Sequence, residues 1–139
     1  MDTRSMAIQA KKASILMQGV STELKNNALE KIAKALLERK EEILKANTQD
    51  MERSASENLA APLLKRLKFD EKKLNDVVEG IHSLIDLEDP VGKKLLAREL
   101  DDGLRLYRVS CPIGVIGIIF ESRPDALVQI STLCLKSGN

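Results

Sequence analysis

A short polar turn, residues 121–125 (ESRPD), carries the side chains that are best placed for chemistry. Pro124 lacks a backbone N–H and suits the first turn of a helix, where Asp125 complements the positive helix terminus. The guanidinium of Arg123 can bind a phosphate or a carboxylate through two parallel hydrogen bonds. Glu121 is an alternative partner for Arg123, and that pair would be purely structural. The residues alone leave both interpretations open.

The two cysteines and the single histidine predict no second chemical site. A reactive cysteine needs a nearby base or a helix N-terminus to stabilise its thiolate. Cys111 precedes a proline at the end of a strand, and Cys134 falls late in a helix, so we expect both thiols to be inert. His82 lies on the flank of a helix and is predicted to be exposed. These residues cannot assemble a zinc site, so no metal is expected.

The elements around the turn predict an α/β fold. Residues 113–120 are nearly all apolar and β-branched, which is typical of a strand buried on both faces of a parallel sheet. An apolar helix follows from Ala126 to Leu135. The turn therefore lies at the carboxyl end of a strand, where α/β enzymes bind their ligands. Gly114 and Gly117 are not in the arrangement of a dinucleotide-binding glycine motif, so we expect them to serve packing.

The first two-thirds of the chain is helical in pattern, and a hairpin follows. Helices are predicted over 3–18, from a cap at Ser21 or Thr22 to residues 47–50 with a break near residues 39–40, over 59–67, and after Asp70. The second of these helices is expected to bury a stripe of Leu24, Ala28, Ile32 and Leu36, widened by Leu29, Ala33 and Leu37. The last is expected to bury Leu74, Val77, Val78, Ile81, Leu84 and Ile85. Strands over 94–100 and 104–110 flank residues 101–103 (DDG), a strong hairpin signal.

Composition excludes several classes of protein. The 22 Lys and Arg balance 21 Asp and Glu for a net charge of +1, which argues against a nucleic-acid binder. Aromatic residues make up 2% of the chain, so base-stacking surfaces are not expected. We find no leader peptide and no apolar run of membrane-spanning length, and therefore predict a cytoplasmic protein with reduced thiols.

Residues 112–125 (PIGVIGIIFESRPD) closely resemble the signature stretch of the γ-glutamyl phosphate reductase family, within the aldehyde dehydrogenase superfamily. The resemblance continues through residues 126–129 (ALVQ) and 136–139 (KSGN). Upstream, residues 44–50 (LKANTQD), 61–67 (APLLKRL), 89–92 (DPVG) and 101–106 (DDGLRL) follow the family in the same order.

The resemblance implies an activity and a set of site residues. The activity is the NADPH-dependent reduction of L-glutamate 5-phosphate to glutamate 5-semialdehyde and phosphate in proline biosynthesis. Ser122 and Arg123 would orient the acyl phosphate or the forming oxyanion, and Phe120 and Glu121 would contact the cofactor. Asn47 and Asp50 are candidates for the cleft that recognises glutamate. The family's nucleophilic cysteine matches neither Cys111 nor Cys134, so we expect an inactive N-terminal fragment.

The resemblance also implies a domain organisation. Residues 1–93 would form the helical part of the cofactor-binding domain, residues 94–111 a hairpin used for oligomerisation, and residues 112–139 the first strand and helix of an incomplete Rossmann-like sheet. The complete protein is expected to be a homo-oligomer that binds neither nucleic acid nor membranes. Two alternatives are a non-catalytic helical binding or regulatory module and a part of a bifunctional pyrroline-5-carboxylate synthetase.

Overall fold

The computed structural model describes residues 2–139 as six helices and one two-stranded antiparallel sheet, in agreement with the predicted α/β class. The helices are α1 (Thr3–Met17), α2 (Thr22–Glu38), α3 (Lys40–Ser56), α4 (Ala61–Leu67), α5 (Glu71–Asp86) and α6 (Pro124–Ser137). The strands are β1 (Lys94–Asp101) and β2 (Leu104–Val109). Across the described residues, every helix is too short or too polar to traverse a lipid bilayer.

Capping side chains begin several helices where the sequence predicts them. Ser21 accepts a hydrogen bond from the backbone N–H of Leu24 at 3.2 Å and so starts α2. Asp70 accepts from the N–H of Lys73 at 3.1 Å and starts α5. Arg39 separates α2 from α3, which confirms the predicted break. Gly138 ends α6 with a left-handed φ of 74°, a conformation that glycine adopts without steric cost.

Helices α2, α5 and α6 pack against one another around the core, and α3 packs on α4 and α5. The predicted face of α5 is confirmed, because its apolar residues recur every three or four positions and point to one side. The predicted face of α2 is confirmed at Leu29 and Ala33, which are fully buried, but not at Leu24 and Leu37, which are 59% and 46% exposed because the buried side is centred on Leu29 and Ala33. The buried apolar residues of the core cluster are Leu29, Ala33, Phe69, Leu74, Val77, Val78, Ile81 and Leu84.

Residues 113–120 do not form a hydrogen-bonded strand in this chain. A strand is stabilised by backbone hydrogen bonds to a neighbour, and β1 and β2 pair only with each other. Ile113 and Ile119 are 87% and 103% exposed, so the apolar side chains of the segment also lack cover. Residues 113–120 therefore have the apolar, β-branched composition of a buried strand, but no strand among residues 2–139 pairs with them.

Candidate functional site

The turn of residues 121–125 lies at the N-terminus of α6, as the sequence predicts. Pro124 is the first helical residue and Asp125 lies in the first turn. Arg123 occupies the N-cap position, but no side chain caps this helix end. Ser122 has a φ of 52°, in the left-handed region that non-glycine residues seldom occupy. A strained residue and an uncapped, partially positive helix end therefore meet at one place.

Arg123 pairs with Asp125 and not with Glu121. Its terminal nitrogen lies 3.6 Å from the Asp125 carboxylate, and its side chain is 54% exposed. A single long contact leaves most of the guanidinium N–H donors open to solvent. The second carboxylate oxygen of Asp125 is buried and has no hydrogen-bond partner among residues 2–139. The turn thus places the accessible guanidinium of Arg123 beside the less exposed carboxylate of Asp125.

Pro124 also borders a groove between α6 and the α2–α3 helices, with a volume of about 500 Å³. Asn47 and Asp50 line the same groove, so the structure brings these two predicted residues next to the Arg123 turn. The walls are mostly apolar and include Ile32, Leu36, Ile43 and Phe69.

The side chain of Asn47 is already engaged by the backbone between α4 and α5. Its amide nitrogen donates to the carbonyl of Leu67 at 2.9 Å, and its amide oxygen accepts from the N–H of Phe69 at 2.7 Å. Asp50 forms an ion pair with Arg53, one turn further along α3, at 2.5 Å. Asn47 therefore has a clear structural task, which no pattern in the sequence predicts.

Phe120 and Glu121 are both exposed at the end of the apolar segment. Of the residues expected to be chemically inert, Cys111 is exposed and Cys134 is half-buried near the carbonyl end of α6. His82 is exposed, as predicted, and lies 3.8 Å from Glu30. Within residues 2–139, no group of three or more His, Cys, Asp or Glu is placed to hold a metal ion.

Two buried lysines are the main polar feature that the sequence reasoning missed. Lys25 and Lys136 are 1% and 2% exposed. The Lys25 ammonium forms an ion pair of 2.6 Å with Asp89 and lies 3.4 Å from the carbonyl oxygen of Lys136. The Lys136 ammonium donates to Asn26 at 2.8 Å and to the carbonyl of Ile85 at 3.0 Å. The sequence contains one indication that Lys25 is buried, which is its spacing: it precedes the buried Leu29 by one helical turn.

Asp89 is held in its ionised form by this cluster. Burial of the carboxyl raises its pKa, but hydrogen bonds from Lys25, from the Val91 N–H and from Thr22 outweigh burial and leave the pKa below its ordinary value. The Val91 N–H lies 2.9 Å from one carboxylate oxygen, and the Thr22 hydroxyl lies 2.8 Å from the other. Asp89 therefore links the first turns of α2 to the chain that leads into the hairpin.

Comparisons with known proteins agree with the resemblance. No protein-family model matches the sequence. A γ-glutamyl phosphate reductase from Acetivibrio thermocellus is 70% identical over all 139 residues, which are 32% of that relative. The crystal structure of γ-glutamyl phosphate reductase from Saccharomyces cerevisiae is 42% identical with a TM-score of 0.95, covering 100% of this chain and 36% of that one. The corresponding structure from Thermotoga maritima is 39% identical with a TM-score of 0.93, covering 97% and 33%.

The predicted resemblance to γ-glutamyl phosphate reductase is thus confirmed along the whole chain. The chain spans about a third of the length of the curated relatives that it matches. The similarity to the solved structures also confirms the predicted fold class.

Proposed function

We propose that this chain, which matches γ-glutamyl phosphate reductases from end to end, forms part of an enzyme of proline biosynthesis. The proposed enzyme reduces L-glutamate 5-phosphate to L-glutamate 5-semialdehyde and phosphate with NADPH. One observation supports this function most directly. Arg123 lies half-exposed at the uncapped N-terminus of α6, where a cation and helix N–H groups together suit a phosphate.

The proposed task of Arg123 is to bind the phosphoryl oxygens of the substrate. Reduction of an acyl phosphate releases phosphate, so negative charge accumulates on the leaving group as the bond to the acyl carbon breaks. A guanidinium that is already in place stabilises this charge without reorganisation. The hydroxyl of Ser122 can donate to the oxyanion that forms on the acyl oxygen. The left-handed backbone of Ser122 would serve to aim that hydroxyl.

Residues outside this chain must complete the reaction. In the family that the sequence resembles, a cysteine thiolate attacks the acyl phosphate, and neither Cys111 nor Cys134 matches that cysteine. NADPH, when bound, supplies the hydride that reduces the resulting thioester. The exposed ring of Phe120 and the exposed carboxylate of Glu121 fit contacts to a nicotinamide and to a ribose hydroxyl, respectively. The 139-residue chain by itself is therefore expected to be inactive.

Recognition of the glutamate part is proposed for the groove that Asn47 and Asp50 line. Asp50 is the stronger candidate, since its ion pair with Arg53 is exposed and its carboxylate can also accept from the substrate's α-ammonium group, whereas the Asn47 amide already holds two backbone groups. We further expect the complete enzyme to be a cytoplasmic homo-oligomer that uses the hairpin as a contact. Every residue of both strands is exposed here, which leaves their apolar side chains available.

The role of Arg123 is tested by substitution in a complete reductase that contains this chain. The reverse reaction, in which phosphate, the semialdehyde and NADP⁺ yield the acyl phosphate, NADPH and a proton, gives a KM for phosphate. Arg123→Ala is expected to raise this KM by roughly tenfold or more, because a hydrogen bond to a charged group contributes about 1.5–3 kcal/mol. Arg123→Lys should lie between wild type and Arg123→Ala, since lysine keeps the charge but not the paired donors.

Arg4 provides the matched control, because it is an exposed arginine in the first turn of α1. Arg4→Ala should leave the KM for phosphate and kcat unchanged. If Arg123→Ala behaved like Arg4→Ala, Arg123 would have no part in phosphate binding. If the complete protein did not interconvert the acyl phosphate and the semialdehyde at all, the proposed function itself would be wrong.

A further inference from the structure

The hairpin of β1 and β2, here called the arm (residues 94–109), projects from the helices without resting on them. Every one of its strand residues is exposed, and its strands make their extensive contacts only with each other. Two side-chain contacts lie wholly within the arm, namely the ion pair between Glu99 and Arg105 and the stacking of Lys94 on Tyr107. Contacts of the arm itself therefore cannot set its angle to the helical core, which must be fixed where the arm begins.

The arm begins at a compact root formed by residues 90–93 and Ser110. The Ser110 hydroxyl donates to the carbonyl of Pro90 at 2.6 Å and accepts from the N–H of Lys93 at 2.9 Å. Two backbone hydrogen bonds of 2.9 Å join Gly92 and Lys93 to Ser110. These bonds tie the two ends of the arm to each other. They do not tie the root to a helix.

The polar connection from the root to the core passes through Asp89. One carboxylate oxygen of Asp89 accepts from the Val91 N–H in the root. The other accepts from Lys25 and Thr22, both in the first turns of α2. The Lys25 ammonium is buried and also reaches the C-terminal turn of α6 through the carbonyl of Lys136. A single ammonium thus joins the root, α2 and α6.

The root also contains a residue about which the arm could turn. Gly92 has a φ of 78°, and a side chain placed on it would meet no atom within 4 Å. The space beside its Cα is therefore open, and its N–H is bonded to Ser110, which moves with the arm. The apolar contact of the root with α6, where Gly138 lies against Val91 and Pro112, involves no directional bond. The directional bonds between the root and α2 all end on the Asp89 carboxylate, and the pair with Lys25 is the charged one among them. Beyond the root, the Gly114 N–H donates to the Asn139 side chain at 2.9 Å.

We propose that the Lys25–Asp89 ion pair is a latch that fixes the angle of the arm on the helical core. With the pair intact, the root is held to α2 and α6, and the arm moves with the core as one body. With the pair broken, the uncharged hydrogen bond from Thr22 is what remains between Asp89 and α2, and the arm swings about Gly92. This role does not depend on the reaction that the complete protein catalyses.

The latch is tested by measuring the distance between the arm tip and α2 with paired spin labels on the 139-residue chain. The labels replace two exposed residues, through Asp102→Cys at the tip and Lys31→Cys on α2, in a background of Cys111→Ser and Cys134→Ala. The labelled chain with Lys25 and Asp89 unchanged should give one narrow distribution of the distance between the two labels. Lys25→Met keeps an unbranched side chain, one atom shorter than that of lysine, and removes its charge. It should broaden the distribution by roughly twofold or more, because a swinging arm samples many orientations.

Lys34 supplies the control, since it lies on the same helix in an exposed ion pair with Glu38. Lys34→Met should leave the distribution narrow. Asp89→Asn is the second test, because asparagine retains one acceptor for the Val91 N–H but replaces the oxygen that pairs with Lys25 by an NH2 group, and it should broaden the distribution as well. Circular dichroism establishes that each variant keeps its helices. A broad distribution with the latch intact, or an unchanged one in folded Lys25→Met, would overturn the proposal.

Discussion

The Lys25 ammonium lies 3.4 Å from the carbonyl oxygen of Lys136, while the Lys136 ammonium donates to the carbonyl of Ile85. Each buried lysine thereby satisfies a carbonyl at the C-terminal end of a neighbouring helix, α6 for Lys25 and α5 for Lys136. Helix C-termini carry partial negative charge and free carbonyl groups, so two cations can be buried there with one carboxylate. This arrangement joins α2, α5 and α6 at the end from which the arm departs.

The first prediction concerns the pH dependence of stability that Asp89 confers. Its pKa is lowered in the folded chain, so it stabilises the fold fully above the pKa of an unfolded aspartate, about 3.9. That contribution is lost as the pH falls through the lower folded pKa. At neutral pH, Asp89→Asn is expected to reduce the free energy of unfolding by about 3–5 kcal/mol, because it leaves Lys25 buried and unpaired.

Urea titrations of wild type and Asp89→Asn between neutral and acidic pH measure this difference. The gap between the two proteins should begin to shrink as the pH falls below about 4, where the carboxylate of the unfolded chain becomes protonated. It should shrink further as the pH falls through the lower pKa of the folded Asp89 carboxylate. Other carboxylates whose pKa is lowered, such as Asp70 with its hydrogen bond from the Lys73 N–H, titrate equally in both proteins and cancel. If the difference in the free energy of unfolding stayed constant with pH, the stabilisation would not come from the ionised Asp89 carboxylate.

A second prediction compares Gly138, where an added side chain would meet a neighbouring residue, with Gly80, where it would meet none. Gly138 has a φ of 74°, and a Cβ there would lie 2.9 Å from Cγ of Pro112. Gly138→Ala should therefore lower the free energy of unfolding by at least about 1–2 kcal/mol from the left-handed backbone alone. Gly80 lies within α5, and a Cβ at that position would meet no atom within 4 Å. Gly80→Ala should stabilise by about 0.5–1 kcal/mol. Chemical denaturation of both variants checks the opposite signs.

A third prediction separates a structural Asn47 from a substrate-binding one. Asn47→Ala removes the hydrogen bonds to Leu67 and Phe69 and is expected to cost about 2 kcal/mol of stability, at about 1 kcal/mol per bond. Asn47→Asp should cost less, because it retains the acceptor for the Phe69 N–H. Thr48→Ala, at the next and exposed position, serves as the control in the same denaturation experiment. Equal stabilities of Asn47→Ala and Thr48→Ala would rule out the structural role.

The sequence predicts well those features that depend on local periodicity. The face of α5 is an example, since Leu74, Val77 and Ile81 recur at helical spacing and are buried in the structure. The hairpin is another, because residues 101–103 specify a tight turn through local chemistry alone. The resemblance to a reductase family likewise rests on contiguous motifs, such as residues 112–125, that can be recognised without a structure.

The features that the sequence does not predict depend on partners far away in the chain. The burial of Lys25 is not predicted, because lysine is ordinarily a surface residue. Its acceptor Asp89 also lies far along the chain, 64 positions after residue 25. The structural task of Asn47 is hidden because its partners are backbone atoms near Leu67, which no side-chain pattern reveals. For Arg123 the sequence allows more than one partner, and the turn geometry that selects Asp125 is a three-dimensional property.

The fourth prediction concerns the exposed apolar segment of residues 113–120. Ile119 is 103% exposed, and it has exposed apolar neighbours on both sides in Ile118 and Phe120. A contiguous apolar segment with unpaired backbone groups promotes association between chains. Ile119→Lys is therefore expected to reduce self-association of the 139-residue chain, with little change in the free energy of unfolding, because Ile119 contributes nothing to the core.

Sedimentation at increasing protein concentration measures this association, and Leu16→Lys is the matched control. Leu16 is also exposed, at 77%, but lies on the regular helix α1, whose backbone groups are paired within the helix. Leu16→Lys should therefore reduce association less than Ile119→Lys does. Equal effects of the two substitutions would show that general surface hydrophobicity drives association. A wild-type chain that stayed monomeric at all concentrations would show that the unpaired segment is not adhesive.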